Sequence, residues 1–399
     1  CYLPMNHLIM DLIKRYGTNF KVSFSISGSA LEQFALHAPE VIESFKELAK
    51  TGSVEFLAET YAHSLASLSD TDEFERQVQR HAAKMEELFG QKPVTLRNSS
   101  LIYSDQIGER VAAMGFESML TDGAKHVLGW KSPNFVYTNV MNPRLKLLLK
   151  NSRLSDDLTL RFSDHSWHEW PLTADKYARW LKDSTQDSEI VNLFMNYETF
   201  GENQLAETGI FEFMRSLPEY IFSTTDFEFL TPSEAVKKHQ PVAPLHVPYP
   251  ISWADEEKDI TGWLGNELQN EAFEELFKIQ PKVEALNDPE LNEDYSRLQA
   301  SDHFYYMRTK LFSDNDDHRY VSPYETPYEA FINYMNVLSD FVARVEDMEK
   351  MRNIAGNKIT EEEKSPEKKK RTPRVKSAES AAKATKKVST KEKQVKSKH

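Results

Sequence analysis

The chain has a single cysteine, Cys1, so no internal disulfide can form and a four-cysteine zinc site is excluded. No run approaches the roughly 18 apolar residues that a membrane helix needs. No charged segment followed by an apolar one opens the sequence. Neither G-x-G-x-x-G nor G-x-x-x-x-G-K-[ST] occurs, which removes the usual signatures of a doubly wound nucleotide-binding sheet. An H-E-x-x-H zinc motif and the G-x-S-x-G elbow of serine hydrolases are missing too. Basic residues are short supply outside the C-terminus: residues 364–399 hold 14 Lys/Arg against 3 Asp/Glu, a net of +11, so the formal −13 leaves −24 for the rest. An acidic body argues against nucleic-acid binding, which needs clustered cations, and leaves only weak attraction through the basic tail.

What is present suits a large folded protein. The 399 residues exceed one ordinary domain two- or threefold, and 40% hydrophobic residues with 23 Phe and 16 Tyr supply a core. The sequence begins Cys1-Tyr2-Leu3-Pro4, which reads as the middle of a folded element, so the N-terminus is expected upstream. A soluble, cytoplasmic protein is the working expectation, and the oligomeric state stays open.

Seven runs have strand character: Lys21–Ser27, Val54–Ala58, Val94–Asn98, Ser118–Asp122, Leu158–Ser163, Ile190–Tyr197 and Phe227–Thr231. Helical patterns fall between them over Ala30–Lys50, Thr71–Phe89, Ser104–Met114 and Ala174–Lys182. Alternation of this kind implies a parallel sheet with helical crossovers. Polar and aromatic residues end nearly every run, as they do where strand ends converge on the active face of a β/α barrel. The expected fold is α/β: an incomplete, seven-stranded TIM-like β/α barrel over 1–250, a helical subdomain over 251–350 and a disordered Lys-rich tail over 351–399.

Carboxylates close several of these runs, at Glu59, Asp122, Asp164, Glu198 and Glu202. Paired carboxylates across a barrel mouth are what glycosidic cleavage requires. The plainer alternative is that such residues cap the next helix or pair with arginine, Arg97 with Asp164 for example. Tyr61, Tyr103, Trp130, Trp167, Trp170 and Tyr197 offer flat faces for sugar stacking, although such rings are more often packing. His165 and His168 are three apart but lack a closed ligand set, and Asp314-Asn315-Asp316-Asp317 lacks the glycine and bidentate glutamate of a calcium loop, so no metal and no cofactor is expected.

The runs Val54–Ser64, Leu96–Tyr103, Phe162–Lys176 and Phe194–Gln204, with Ser252–Glu256 and His303–Met307, resemble glycoside hydrolase family 57, in particular its α-amylase-like branch. The resemblance implies an incomplete seven-stranded barrel acting on α-1,4-glucans with retention. It places the family nucleophile, a Glu, at Ser100 and the acid/base, an Asp, at Asn196. A serine hydroxyl cannot replace the carboxylate, and asparagine has no proton to deliver. The family's His-Gln-Pro strand is absent, as a chain truncated at its N-terminus would have it. The expected function is therefore a catalytically degenerate protein that binds α-glucan or maltooligosaccharide. The alternative is an active retaining α-amylase using substituted groups such as Glu59, Asp122 or Glu198. Ser100 and Asn196 are expected to face each other, lined by Glu59, His63, Arg97, Tyr103, Asp122, Asp164, Trp167, Tyr197 and Glu198.

Overall fold

Short runs of β-branched, aromatic and leucine residues become strands where both faces can be covered. In the computed structural model these are β1 (Val22–Phe24), β2 (Val54–Phe56), β3 (Thr95–Arg97), β4 (Ser118–Asp122), β5 (Tyr137–Asn139), β6 (Lys146–Lys150) and β7 (Ala243–Leu245). The structure describes residues 1–69, 71–185, 187–310 and 322–363, with side chains to 354. The Asp314–Asp317 cluster, His318 and the tail from Lys364 lie outside the described residues. Cys1–Glu349 forms one compact unit, and Lys350–His399 is a second, of which the end of a long helix is described.

β1 pairs in parallel with β2, β3 with β4, and β4 with β6. A parallel bridge between Ala58 and Leu96 joins β2 to β3. Five strands therefore run parallel in the spatial order β1-β2-β3-β4-β6, with their carboxyl ends on one side. β5 runs antiparallel to β6 and carries β7 on its outer edge. β6 was not among the expected strands, although Leu147-Leu148-Leu149 is the continuous apolar run that a strand covered on both faces needs.

Three expected strands are corrected. Leu158–Ser163 looks alternating, but Leu154, Leu158 and Phe162 recur every four residues and all are buried, so Ser152–Thr159 is a helix. Its start is fixed by Asn151, whose side chain accepts from the Leu154 amide. Ile190–Tyr197 forms only one bridge, Asn192 to Lys150. Phe227–Thr231 makes no strand; Phe227 and Phe229 pack against a hydrophobic cluster instead. The expected helix over 30–50 divides into Gly28–His37 and Pro39–Ala49, because Pro39 pushes Ala38 out of the helical region (φ −154°, ψ 61°). Glu73–Phe89, Asp105–Ala113 and Ala174–Asp183 match expectation within two residues.

Beyond Ile260 the elements of the described residues are helices, among them Glu267–Lys278, Gln280–Leu286, Pro289–Leu298, Ser301–Tyr306 and Pro327–Glu363. These helices share a core with the strands: Leu96, Met119, Leu147 and Leu149 belong to the same buried cluster as Leu276, Phe304 and Phe341. A smaller cluster holds Leu57, Leu101, Leu120, Val136, Leu148, Val236 and Trp253, with Leu120 and Leu148 alternating along β4 and β6 with Met119, Leu147 and Leu149 of the larger one.

The turn after β4 is tight. A Cβ on Gly123 would lie 2.5 Å from the Lys150 carbonyl oxygen and 2.9 Å from Pro133. Since backbone cannot step aside cheaply, Gly123→Ala should lower stability by about 1–3 kcal/mol. A urea midpoint equal to that of the parent would show that this turn yields instead.

Candidate functional site

The carboxyl ends of β2, β3, β4 and β6 deliver Glu59, Arg97, Asp122 and Lys150 to one side of the sheet. Glu59, only 2% exposed, accepts from Arg97 at 3.2 Å and lies 3.2 Å from His63 Nδ1 through the same oxygen. Burial works to raise its pKa, yet the His63 hydrogen bond and the Arg97 charge prevail and hold the carboxyl at about 2. The Glu59 amide donates to His81 Nδ1 at 3.2 Å, and the other His81 ring nitrogen meets the Ile26 carbonyl at 2.7 Å. Burial lowers the His81 pKa, so the ring is held neutral.

Ser100 stands on the turn after β3. Its neighbour Ser99 shares a 2.7 Å hydroxyl contact with Thr60, and Asn98 donates to Ser67 Oγ and the Ile102 carbonyl at 2.8 and 2.9 Å. The Ser100 carbonyl accepts from the Trp253 amide at 3.1 Å. Ser100 and Leu101 both have left-handed backbones, with φ of 51° and 54°. Five of the six non-glycine residues of this kind among the described ones, His63, Ser100, Leu101, Asp255 and Lys258, lie on the turns after β2 and β3 or on the loop holding Trp253. Strain of this sort persists only where surroundings over-determine it, and it gathers at functional sites.

Asp122, at 1% exposure, accepts the Ser152 hydroxyl, which lies 3.1 and 3.2 Å from its two oxygens, and is 3.8 Å from Lys258. Burial outweighs both lysines near it and raises its pKa. Lys258 donates to the Trp253 carbonyl at 2.8 Å, and Lys150 pairs with Asp156 at 3.0 Å while its ammonium lies 5.4 Å from the Trp253 ring centre. Trp253, Lys150 and Lys258 were not among the expected site residues. Lysines carry no motif, and β6 itself had gone unrecognised. Trp253 did stand in one of the runs that carried the resemblance.

The other expected residues are placed as follows. Asn196 precedes the one-turn helix Tyr197–Thr199, four residues beyond the Asn192 bridge to Lys150. Tyr197 stacks on Tyr2 and donates to Asn6, and Glu198 accepts from the Tyr2 hydroxyl at 2.8 Å. Tyr103 is wholly buried, its hydroxyl accepting from Asn139 at 2.8 Å. Trp167 packs edge-on against Trp180. The Arg97–Asp164 pair does not form: Arg97 is taken by Glu59, while exposed Asp164 accepts from the Ser166 amide and hydroxyl at 2.8 and 2.6 Å. Among the described residues no three His, Cys, Asp or Glu side chains group as metal ligands, and no helix is long and apolar enough to cross a membrane.

The family model for Glycosyl hydrolase family 57 matches residues 1–248. A Methanocaldococcus jannaschii protein named "Putative alpha-amylase" is 42% identical over 359 residues, covering 87% of this chain and 76% of that protein. Among solved structures, the branching enzyme of Thermococcus kodakaraensis superposes with a TM-score of 0.66 at 12% identity, over 87% of this chain and 84% of that one. The 4-alpha-glucanotransferase of Thermococcus litoralis gives 0.58 at 15% identity over 76% of this chain. This chain spans about half of that enzyme, 51%. At such identities the two structures establish a shared fold.

A depressed carboxyl pKa contributes stability that is present above the unfolded value and lost as pH falls through the folded one. For Glu59 that window runs from 4.5 down to about 2. The parent should lose about 3 kcal/mol of Glu59-dependent stability across it. Urea unfolding of the parent and of Glu59→Gln should therefore differ at pH 7 and converge towards pH 2; a constant gap would refute the assignment.

Proposed function

The chain belongs to glycosyl hydrolase family 57, and we propose that it binds α-1,4-glucan or maltooligosaccharide at the carboxyl ends of its parallel strands without cleaving it. The observation that carries this reading is the chemistry of the two positions at which the family resemblance expects its catalytic carboxylates. Ser100 occupies one and Asn196 the other. Retaining cleavage needs a nucleophile to form the glycosyl intermediate and an acid to protonate the leaving oxygen. Neither residue can do either at a useful rate. The neighbouring charges are committed as well, Glu59 to Arg97 and His63, Asp122 to Ser152 and Lys258.

Within this proposal the parallel arc of five strands, continued by the Asn192 bridge, is part of an incomplete seven-stranded barrel over 1–250. The helices of 251–350 form its partner subdomain, and the last of them, Pro327–Glu363, runs on past the expected boundary at 350. The turns at the strand ends would hold the sugar, and their backbones are left-handed at His63, Ser100 and Leu101.

One observation favours a second reading, residual hydrolysis by substituted groups. Glu59 is held ionised while Asp122 is pushed towards its protonated form, and they flank β3 from either side. Opposed environments of this kind are how a carboxylate pair divides into anion and acid. Glu198 is a weaker substitute, since it is bound to Tyr2.

Calorimetry and product analysis with maltoheptaose separate the two readings. Binding with no released sugar supports the degenerate protein; turnover lost in both Glu59→Gln and Asp122→Asn supports the substituted pair. Absence of both binding and turnover would sink the glucan assignment. If only the two carboxylates were lost, Ser100→Glu combined with Asn196→Asp should create hydrolysis measurable above the parent, with either single change doing much less. A folded double variant that binds maltoheptaose and stays inert would show that the positions have drifted out of catalytic register.

A further inference from the structure

From the structure we infer that Trp130 is a sugar-stacking platform on the rim of the glucan site, giving the protein a preference for extended α-glucan chains over short maltooligosaccharides. This rests on the glucan-binding reading above and adds to it a second contact point and a substrate length. The chain has six tryptophans. Five are packed against a ring or a cation: Trp167 against Trp180, Trp170 on His165, Trp263 against Tyr305 and Trp253 beside Lys150. Trp130 is 93% exposed and makes no ring or cation contact among the described residues.

Its exposure is not that of a loose loop tip. The excursion over 123–133 leaves the sheet at Asp122, the last residue of β4, and returns at Asn134, whose side chain accepts from Asn151 next to the end of β6 at 3.0 Å. Both feet therefore stand on strand ends that carry the candidate site. Within it, Lys125–Leu128 makes one helical turn, buried Leu128 anchors it, and the Gly129 amide closes it on Lys125 at 2.8 Å. The left-handed Gly129 (φ 60°) then reverses the chain. On the far side the Lys131 amide bonds to the Leu128 carbonyl at 3.0 Å and the Tyr137 hydroxyl to the Ser132 carbonyl at 2.7 Å. The indole is thus presented on a fixed backbone clamped before and after it.

An outward-facing ring on a fixed backbone beside a sugar site suits the apolar face of a pyranose, which binds with little backbone-ordering cost because the turn is already set. A platform outside the groove can touch only a ligand long enough to leave it. Lys125 and His126 on the same loop are exposed, and with the indole they would also suit an anionic membrane surface. The contiguity of both feet with the strand ends, and the absence of a second exposed large apolar residue on this loop, favour the glucan.

The test uses the full-length protein, with amylose and maltotriose as ligands in calorimetry. Trp130→Ala should weaken amylose binding about fivefold to tenfold, leave maltotriose binding within about twofold and leave the melting temperature unchanged. Trp130→Tyr should restore most of the amylose affinity. If the parent binds both sugars and Trp130→Ala binds amylose as tightly as the parent does, the platform is refuted while the glucan reading survives. If the parent binds neither sugar, both fall. Loss of binding to phosphatidylserine vesicles in Trp130→Ala, with amylose binding unchanged, would overturn the platform in favour of a membrane contact.

Discussion

A carboxylate buried to 2% exposure at the end of β2 organises much of this protein. Taking Glu59 out of water costs several kcal/mol unless its charge is matched, and Arg97 on β3 and His63 on the following turn supply the match. The backbones of β2 and β3 meet at the short bridge of Ala58 and Leu96, and the Thr95 hydroxyl adds a bond to Glu55 at 2.9 Å. The ion pair thus holds together two strands that the backbone joins sparsely. Through its amide Glu59 also engages His81, which reaches back to Ile26 past the end of β1. One residue thereby connects the ends of three strands with the helix Glu73–Phe89.

The same turn couples to the helical half of the compact unit. The Ser301 amide donates to the His63 carbonyl at 3.1 Å, and Ser64 bridges to Ala300. Behind them Gln77 accepts from Ser64, donates to Gln299, and Gln299 donates to Glu73, all within buried surroundings. Fully paired amide and carboxylate networks of this kind specify one arrangement, since any slip leaves a buried polar group without its partner. The positive φ of His63 is tolerable on this account: bonds on both sides of the turn determine its path.

On the other flank of β3, Asp122 is buried under different terms. Two lysines lie close, yet desolvation dominates and the carboxyl is pushed up rather than down. Trp253 lies between the two halves, its amide on Ser100, its carbonyl on Lys258 and its ring beside Lys150. The loop bearing it is held from behind by Asp255, which pairs with Arg308 and Lys310 at 3.3 Å each. A site with one buried carboxylate whose pKa is lowered and another whose pKa is raised is electrostatically asymmetric, the arrangement by which a carboxylate pair divides its roles.

Much of this was legible in the sequence. The βα alternation, the strands around residues 22, 54, 95 and 118, and the helix with Ser104 at its start follow from local periodicity and caps, which are encoded within a few residues. The family was legible because motif identity needs no contact information. The burial of Glu59 and Asp122, and the opposite shifts of their pKa values, were not, since these depend on which cations the fold brings near, and Arg97 and Lys258 stand 38 and 136 residues away from them. Leu158–Ser163 could be read with either period, and packing of Leu154, Leu158 and Phe162 into one core decided for the helix. Lys150 joined the site only because β6 pairs beside β4, 28 residues earlier. The sequence by itself determined the residue chemistry and the local elements; the tertiary structure alone decided which charges meet, because an ion pair is set by distance in space and not by spacing along the chain.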